Sequence, residues 1–185
     1  MLKHVRASGA ACIVLAAAPA ASLAGGISRR YLGSNEIDDT TTRGVGAVQA
    51  SLYERLGGVD AITAVAEAFE DRAAKDDRIK QKFARTNLNR LTKEFVDQLC
   101  QETGGPCTYT GLSMTTSHTN MGVTSGEFDA FVEDFVATLN DFKVGKAEQD
   151  ELLSKLAPMR GDIVEVDSRQ VGTPLPDAFD PAPPL

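Results

Sequence analysis

The sequence has no tryptophan, two histidines and three cysteines in 185 residues. It holds no P-loop, no glycine-rich dinucleotide fingerprint and no H-E-x-x-H, so the phosphate-cradle and zinc-hydrolase chemistries that such motifs announce have no support. No internal repeat is visible. The formal net charge is -7, which opposes nonspecific nucleic-acid binding. β-branched runs are few, whereas alanine, leucine, glutamate and lysine are plentiful, and that balance predicts an all-helical fold. The length is enough for one domain with a real core, plus tails.

Long apolar runs are also lacking. The stretch Ala10 to Ala21 is broken by Pro19 and falls short of the roughly 20 residues that span a bilayer. It follows Lys3, His4 and Arg6, and it precedes Ser22-Leu23-Ala24, a small-x-small cleavage pattern. Residues 1–24 therefore read as a cleaved signal peptide, with a secreted or periplasmic mature chain and no stable membrane insertion after leader removal. An uncleaved anchor or a misread start is the alternative. Cys12 lies inside the apolar core of the leader, which argues against a lipoprotein. Residues 25–50 mix Gly, Ser, Thr, Asp and Arg without periodicity and read as a flexible linker. Residues 168–185 are Pro-rich and read as a disordered tail. The folded domain is expected over 51–167.

Removing the leader leaves Cys100 and Cys107. In an oxidising compartment this pair can form a disulfide, contributing roughly 2–3 kcal/mol on the chain-entropy view. The rival is a metal or redox pair. The C-x6-C spacing fits neither zinc-finger nor thioredoxin patterns, which favours the structural bridge.

Between the tails the pattern is helical. Ser51-x-x-Glu54 is a capping box, and Gly57-Gly58 ends the short helix it opens. A helix is expected from about Asp60 to Lys75, with Ile62, Val65, Ala66, Phe69 and Ala73 on its apolar face. Glu70 falls at the edge of that face, as a solvated carboxylate or an acid at a pocket rim. Phe83 lies in a short connection. The next helix, about Leu88 to Thr103, carries Leu88, Leu91, Phe95 and Leu99 on one stripe. Thr124-x-x-Glu127 caps a helix bearing Phe128, Phe131, Val132, Phe135, Val136 and Leu139. The last helix carries Leu152, Leu153, Leu156, Met159 and Ile163, and Pro158 should kink it.

His118 is the one imidazole expected to survive leader removal. A lone histidine is more often structural than a ligand. Here Met114, His118 and Met121 share a face at helical spacing, and amphipathic segments flank them in sequence. A neutral imidazole in an apolar helical pocket is what a haem iron requires as proximal ligand.

LYERLGG at Leu52, the run TGGP-x-x-YTG-x-x-M-x-x-x-H-x-x-M-G-V ending at Val123, and RGDIV at Arg160 together resemble a truncated haemoglobin of the first group. The likeness spans about Ser51 to Val166. It implies a two-over-two helical sandwich around one non-covalent haem b. No C-x-x-C-H occurs, so c-type attachment is not implied. His118 takes the proximal position and Phe83 packs on the porphyrin. Leu91, Phe95 and Leu99 fall on distal-helix positions, and Thr86 and Arg90 near the propionates. Tyr109, Met114, Val123 and Phe128 match proximal and edge contacts.

The family usually has tyrosine where this chain has Glu70, directly after Phe69, and often glutamine where it has Phe95. Both would donate hydrogen bonds to a bound ligand carrying partial negative charge. Losing one costs roughly 1.5–3 kcal/mol. A distal pocket of Phe69, Glu70, Leu91 and Phe95 is thus expected to be largely apolar and to retain dioxygen weakly. The resemblance implies reversible binding of dioxygen, nitric oxide or carbon monoxide. Oxidation of nitric oxide to nitrate, with an unidentified reductase, is an alternative. So is exported haem electron transfer, with Lys93 or a methionine as sixth ligand.

Overall fold

The computed structural model describes residues 49–181. The expected leader, 1–24, and the linker up to residue 48 lie outside the described residues, as do residues 182–185. The described residues are all-α, with one isolated parallel bridge between Thr124 and Val166. Among them no helix is long and apolar enough to cross a membrane.

Helix α1, Leu52–Arg55, is opened by the expected capping box: the Ser51 hydroxyl accepts from Glu54 N, and the Glu54 carboxylate accepts from Ser51 N at 2.8 Å. Gly57 then turns the chain at φ +98°, a conformation that disfavours any side chain. Helix α2, Gly58–Ala73, follows directly, two residues earlier than the periodicity indicates. Its face buries Ile62, Val65, Ala66, Phe69 and Ala73 as expected.

A 3-10 turn, Lys80–Phe83, leads to α3, Leu88–Glu102, whose cap Asn87 accepts from Arg90 N. Leu88 is 45% exposed, so the apolar stripe of α3 begins one turn later than expected, with Leu91 and Phe95. The one-turn helix α4, Met114–His118, is next, then α5, Ser125–Asp141, behind the capping box of Thr124 and Glu127. On α5, Phe135 and Leu139 are buried, whereas Phe128, Phe131 and Val132 are only partly so. Those three line a cavity rather than solid core. Pro158 does more than kink the last helix. It sits in a 3-10 turn, Ala157–Met159, that separates α6, Lys146–Leu156, from α7, Arg160–Ile163.

The helices form a two-over-two sandwich, with α2 packed on both α3 and α5, α1 on α2 and α6, and α4 on α7. The core runs through Leu52, Phe69, Leu99, Phe135 and Leu152. Cys100 and Cys107 are bonded, tying the end of α3 to the loop before α4. Gly105 lies inside that loop, where an added Cβ would sit 2.5 Å from the Tyr53 ring and 2.7 Å from the Cys100 sulfur. Only glycine admits this approach.

The expected disordered tail is corrected. Residues 168–181 lie along the body, because their backbone groups find partners there and their apolar side chains find a hollow. Gly172 N donates to Arg78 O at 2.6 Å, and Thr173 N to Glu127 at 2.8 Å. Phe179 is 8% exposed and packs with Met121 and Val123. The folded unit therefore runs past the expected limit of 167.

Candidate functional site

Helix α4 is one turn long, so local hydrogen bonds and packing must hold it. The Ser113 hydroxyl caps it by accepting from Thr116 N at 3.1 Å. The Ser117 hydroxyl donates to Ser113 O at 2.9 Å, and Thr115 reaches Asp162 of α7 at 3.1 Å. After His118 the chain leaves the helix. Asn120 takes φ +63°, and one carboxylate, Glu165, accepts from both Asn120 N (2.7 Å) and Gly122 N (2.5 Å). Met121 thus reaches the same cavity as Met114 and His118 by a turn, not by continued helix.

The His118 ring is oriented by its own helix. Nδ1 lies 2.8 Å from Met114 O and 3.1 Å from Ser117 Oγ. The carbonyl can only accept, so Nδ1 carries the proton and Nε2 keeps the lone pair. Burial pushes the imidazole below its ordinary pKa, while the Met114 carbonyl and the Glu165 charge pull the other way. That shift favours the neutral ring, which lines a cavity of about 640 Å³, within the usual range for a small-molecule pocket.

Phe83, Thr86, Arg90, Leu91 and Phe95 line that cavity from the 3-10 turn and α3. Tyr109, Met114, Val123 and Phe128 line it with His118. Three of the expected residues do not. Leu99 is 2% exposed and sits in the core. Phe69 stands behind the wall, its ring 4.7 Å from Phe131, 5.3 Å from Phe135 and 5.6 Å from Phe95. Glu70 is not at a rim. It is buried and accepts the Thr92 hydroxyl of α3 at 2.6 Å, away from the cavity lining.

Glu94 and Gln98 were missed by sequence reasoning. They sit beside Leu91 and Phe95 on α3 and also line the cavity. Gln98 Nε2 lies 3.1 Å from Met159 Sδ and 3.8 Å from Met114 Sδ. Helical spacing from Leu91 (i+3, i+7) was the available signal for both. Leu156, Arg160, Ile163 and Phe179 line the cavity as well; in the sequence Leu156 and Ile163 appear only as apolar positions of the last helix, Arg160 only within RGDIV, and Phe179 within the expected tail. Lys93 is exposed and pairs with Asp97, off the cavity lining.

Burial raises the Glu70 carboxyl above its ordinary pKa; the Thr92 hydroxyl opposes this and Glu67 adds to it. A raised native pKa favours folding below pH 4.5, and that contribution is lost as pH rises through the native value. One oxygen, Oε1, is also buried without a partner. Glu70→Gln is therefore expected to stabilise by about 1 kcal/mol at pH 8. The gain should vanish near pH 4. Urea midpoints at both pH values check this, and an equal gain at both would refute the ionisation account.

A family profile described as bacterial-like globin matches residues 51–165. A group 1 truncated haemoglobin from Tetrahymena pyriformis is 33% identical over 114 residues, covering 62% of this chain and 94% of that protein. Its crystal structure in the Fe(III) form superposes with a TM-score of 0.60, over 62% of this chain and 98% of that one. A 2/2 haemoglobin from Synechococcus sp., in the cyanomet state with covalently attached haem, gives 0.59 at 30% identity, with the same coverage. A group 1 truncated haemoglobin from Mycolicibacterium paratuberculosis is 31% identical over 125 residues, covering 68% of this chain and 92% of that protein. The helices that frame the cavity and the segment that carries His118 all fall within the matched residues, and this chain belongs to the bacterial-like globin family as a truncated haemoglobin of the first group.

Proposed function

We propose that this chain holds one haem b non-covalently, with His118 as the proximal ligand, and reversibly binds a diatomic gas. The observation that carries the reading is the His118 ring, proton on Nδ1 against a backbone carbonyl and lone pair on Nε2, lining a haem-sized cavity. Among the described residues no group of three or more His, Cys, Asp and Glu could hold a bare ion. A single imidazole suits an iron whose other ligands come from a macrocycle. When bound, haem would supply an iron that His118 would ligate and that could take up a diatomic gas.

The residues fit such a group. The Met114 carbonyl fixes the ring orientation and raises its basicity as a ligand. Leu91, Phe95, Phe131, Val132 and Phe135 present an apolar wall that excludes water. Arg90 and Arg160 bring guanidinium groups to the lining, suited to carboxylates. Glu70 is turned to Thr92 and offers no donor to the cavity. The Cys100–Cys107 bond supports a secreted or periplasmic location, where disulfides persist.

The test is a spectrophotometric haem titration, followed by reduction and exposure to carbon monoxide. Saturation at one haem per chain with a carbon monoxide spectrum is expected; no saturable uptake refutes the reading. The apolar wall makes a further demand. Phe95→Gln, by adding a donor, should slow dioxygen dissociation about 10- to 150-fold, the equivalent of a 1.5–3 kcal/mol hydrogen bond to a polar ligand. Stopped-flow displacement by carbon monoxide measures it, and an unchanged rate would mean that retention is set elsewhere.

A further inference from the structure

The family match ends at residue 165, yet the chain continues in an ordered path along the cavity. Residues 168–181 are fastened in sequence. The Thr124 hydroxyl donates to Gln170 O at 2.6 Å, and both the amide and the hydroxyl of Thr173 donate to Glu127 Oε1. Lys82 Nζ donates to Pro174 O at 3.4 Å. Beyond Pro174 one side chain, Arg85, holds the path, donating to the carbonyls of Pro176 and Phe179. Its guanidinium also lies 5.6 Å over the Phe179 ring, a cation–π contact. Phe179 N donates to Pro176 O, closing a turn that delivers the ring inward.

The ring arrives at the site. Phe179 and Pro181 are part of the cavity lining. Phe179 packs on Met121 and Val123, three and five residues after His118, with Phe128, Ile163 and Leu175 around it. Without it, the apolar cluster beside the His118 segment would face water.

We propose that residues 168–181 form a strap that retains the cofactor, with Phe179 as its plug and Arg85 as its latch. The proposal rests on the haem reading above. The strap acts by completing the apolar enclosure. A buried aromatic ring beside the His118 segment keeps water from that side of the cavity and so would hold an apolar cofactor in place.

The experiment uses the full chain loaded with haem and measures haem transfer to excess apomyoglobin. Phe179→Ala and a chain ending at Asp177 are each expected to release haem at least tenfold faster. Both keep Thr173 on Glu127 and Pro174 on Lys82, and circular dichroism melting verifies that they fold. Arg85→Gln, which leaves the ring in place but weakens its latch, should give a smaller acceleration, and Phe179→Leu should restore most of the retention. If the wild type saturates with haem and all these variants release it at the wild-type rate, the strap proposal fails alone. If the wild type takes up no haem, the strap proposal fails together with the reading beneath it.

Discussion

His118→Ala is expected to abolish stoichiometric haem uptake, or to leave a loosely held haem with an altered spectrum. Removing an outer partner of a metal ligand costs roughly 10- to 100-fold in affinity, and removing the ligand itself should cost more. Among the described residues no second imidazole lines the cavity. The other lining groups close to His118 are Met114, Met121 and Ser117, and Lys93, the alternative iron ligand, pairs with Asp97 off the cavity lining. A His118→Gly variant supplied with free imidazole provides the internal control. Recovery of the wild-type spectrum on adding imidazole would show that the loss was of a ligand and not of the fold. Uptake of one haem per His118→Ala chain with unchanged bands would remove His118 from the proximal role.

The second large effect concerns stability. Lys82 is 5% exposed and Glu127 2%. Lys82 Nζ lies 3.5 Å from Glu127 Oε2 and donates to the carbonyls of Met121 at 2.9 Å and Gly122 at 3.1 Å. Glu127 accepts from Thr124 N with one oxygen and from Thr173 with the other. This pair joins the 3-10 turn, the His118 loop, the start of α5 and the strap. Removing one member of a buried pair leaves the other charge uncompensated and typically costs 3–5 kcal/mol. Lys82→Met is expected to destabilise by about that much, read as a shift in urea midpoint at unchanged slope. Adding Glu127→Gln should recover part of the loss, because the stranded charge is gone, although the amide keeps an acceptor for only one of Thr124 and Thr173. A double variant less stable than Lys82→Met alone would mean that the carboxylate contributes mainly through its caps.

Much of this was legible from residues. Capping boxes at Ser51 and Thr124, apolar spacing on α2 and α3, and the proline break gave the helices, because local hydrogen bonds and one-sided burial are written in sequence order. His118 stood out through scarcity and its neighbours. The Lys82–Glu127 pair was not legible: Glu127 reads as half of a capping box and Lys82 belongs to no pattern, and only tertiary packing buries them together, 45 positions apart in sequence. Glu70 shows the same limit from the other side. Helical spacing puts it at the edge of the α2 face, but whether it meets solvent, a cavity or the Thr92 hydroxyl depends on how α3 lies across it. The ordered path of residues 168–181 is not legible, because a high proline content signals only lack of helix. It does not signal lack of a docking surface, and Leu175 and Phe179, four apart amid prolines, were the available clue.

Helix α4 has a consequence in local stability. One turn is the length at which ordering the backbone outweighs the hydrogen bonds formed, and none of its five residues is fully buried. Its order is supplied from outside, by the Ser113 cap, the Thr115 contact to α7 and the Glu165 carboxylate beyond it. In the empty chain, amide protons from Met114 to His118 should therefore exchange with solvent through small local openings, well before the core of α2 opens. A ligand gripped at His118 closes those openings, so part of its binding energy is recorded as protection of this single turn.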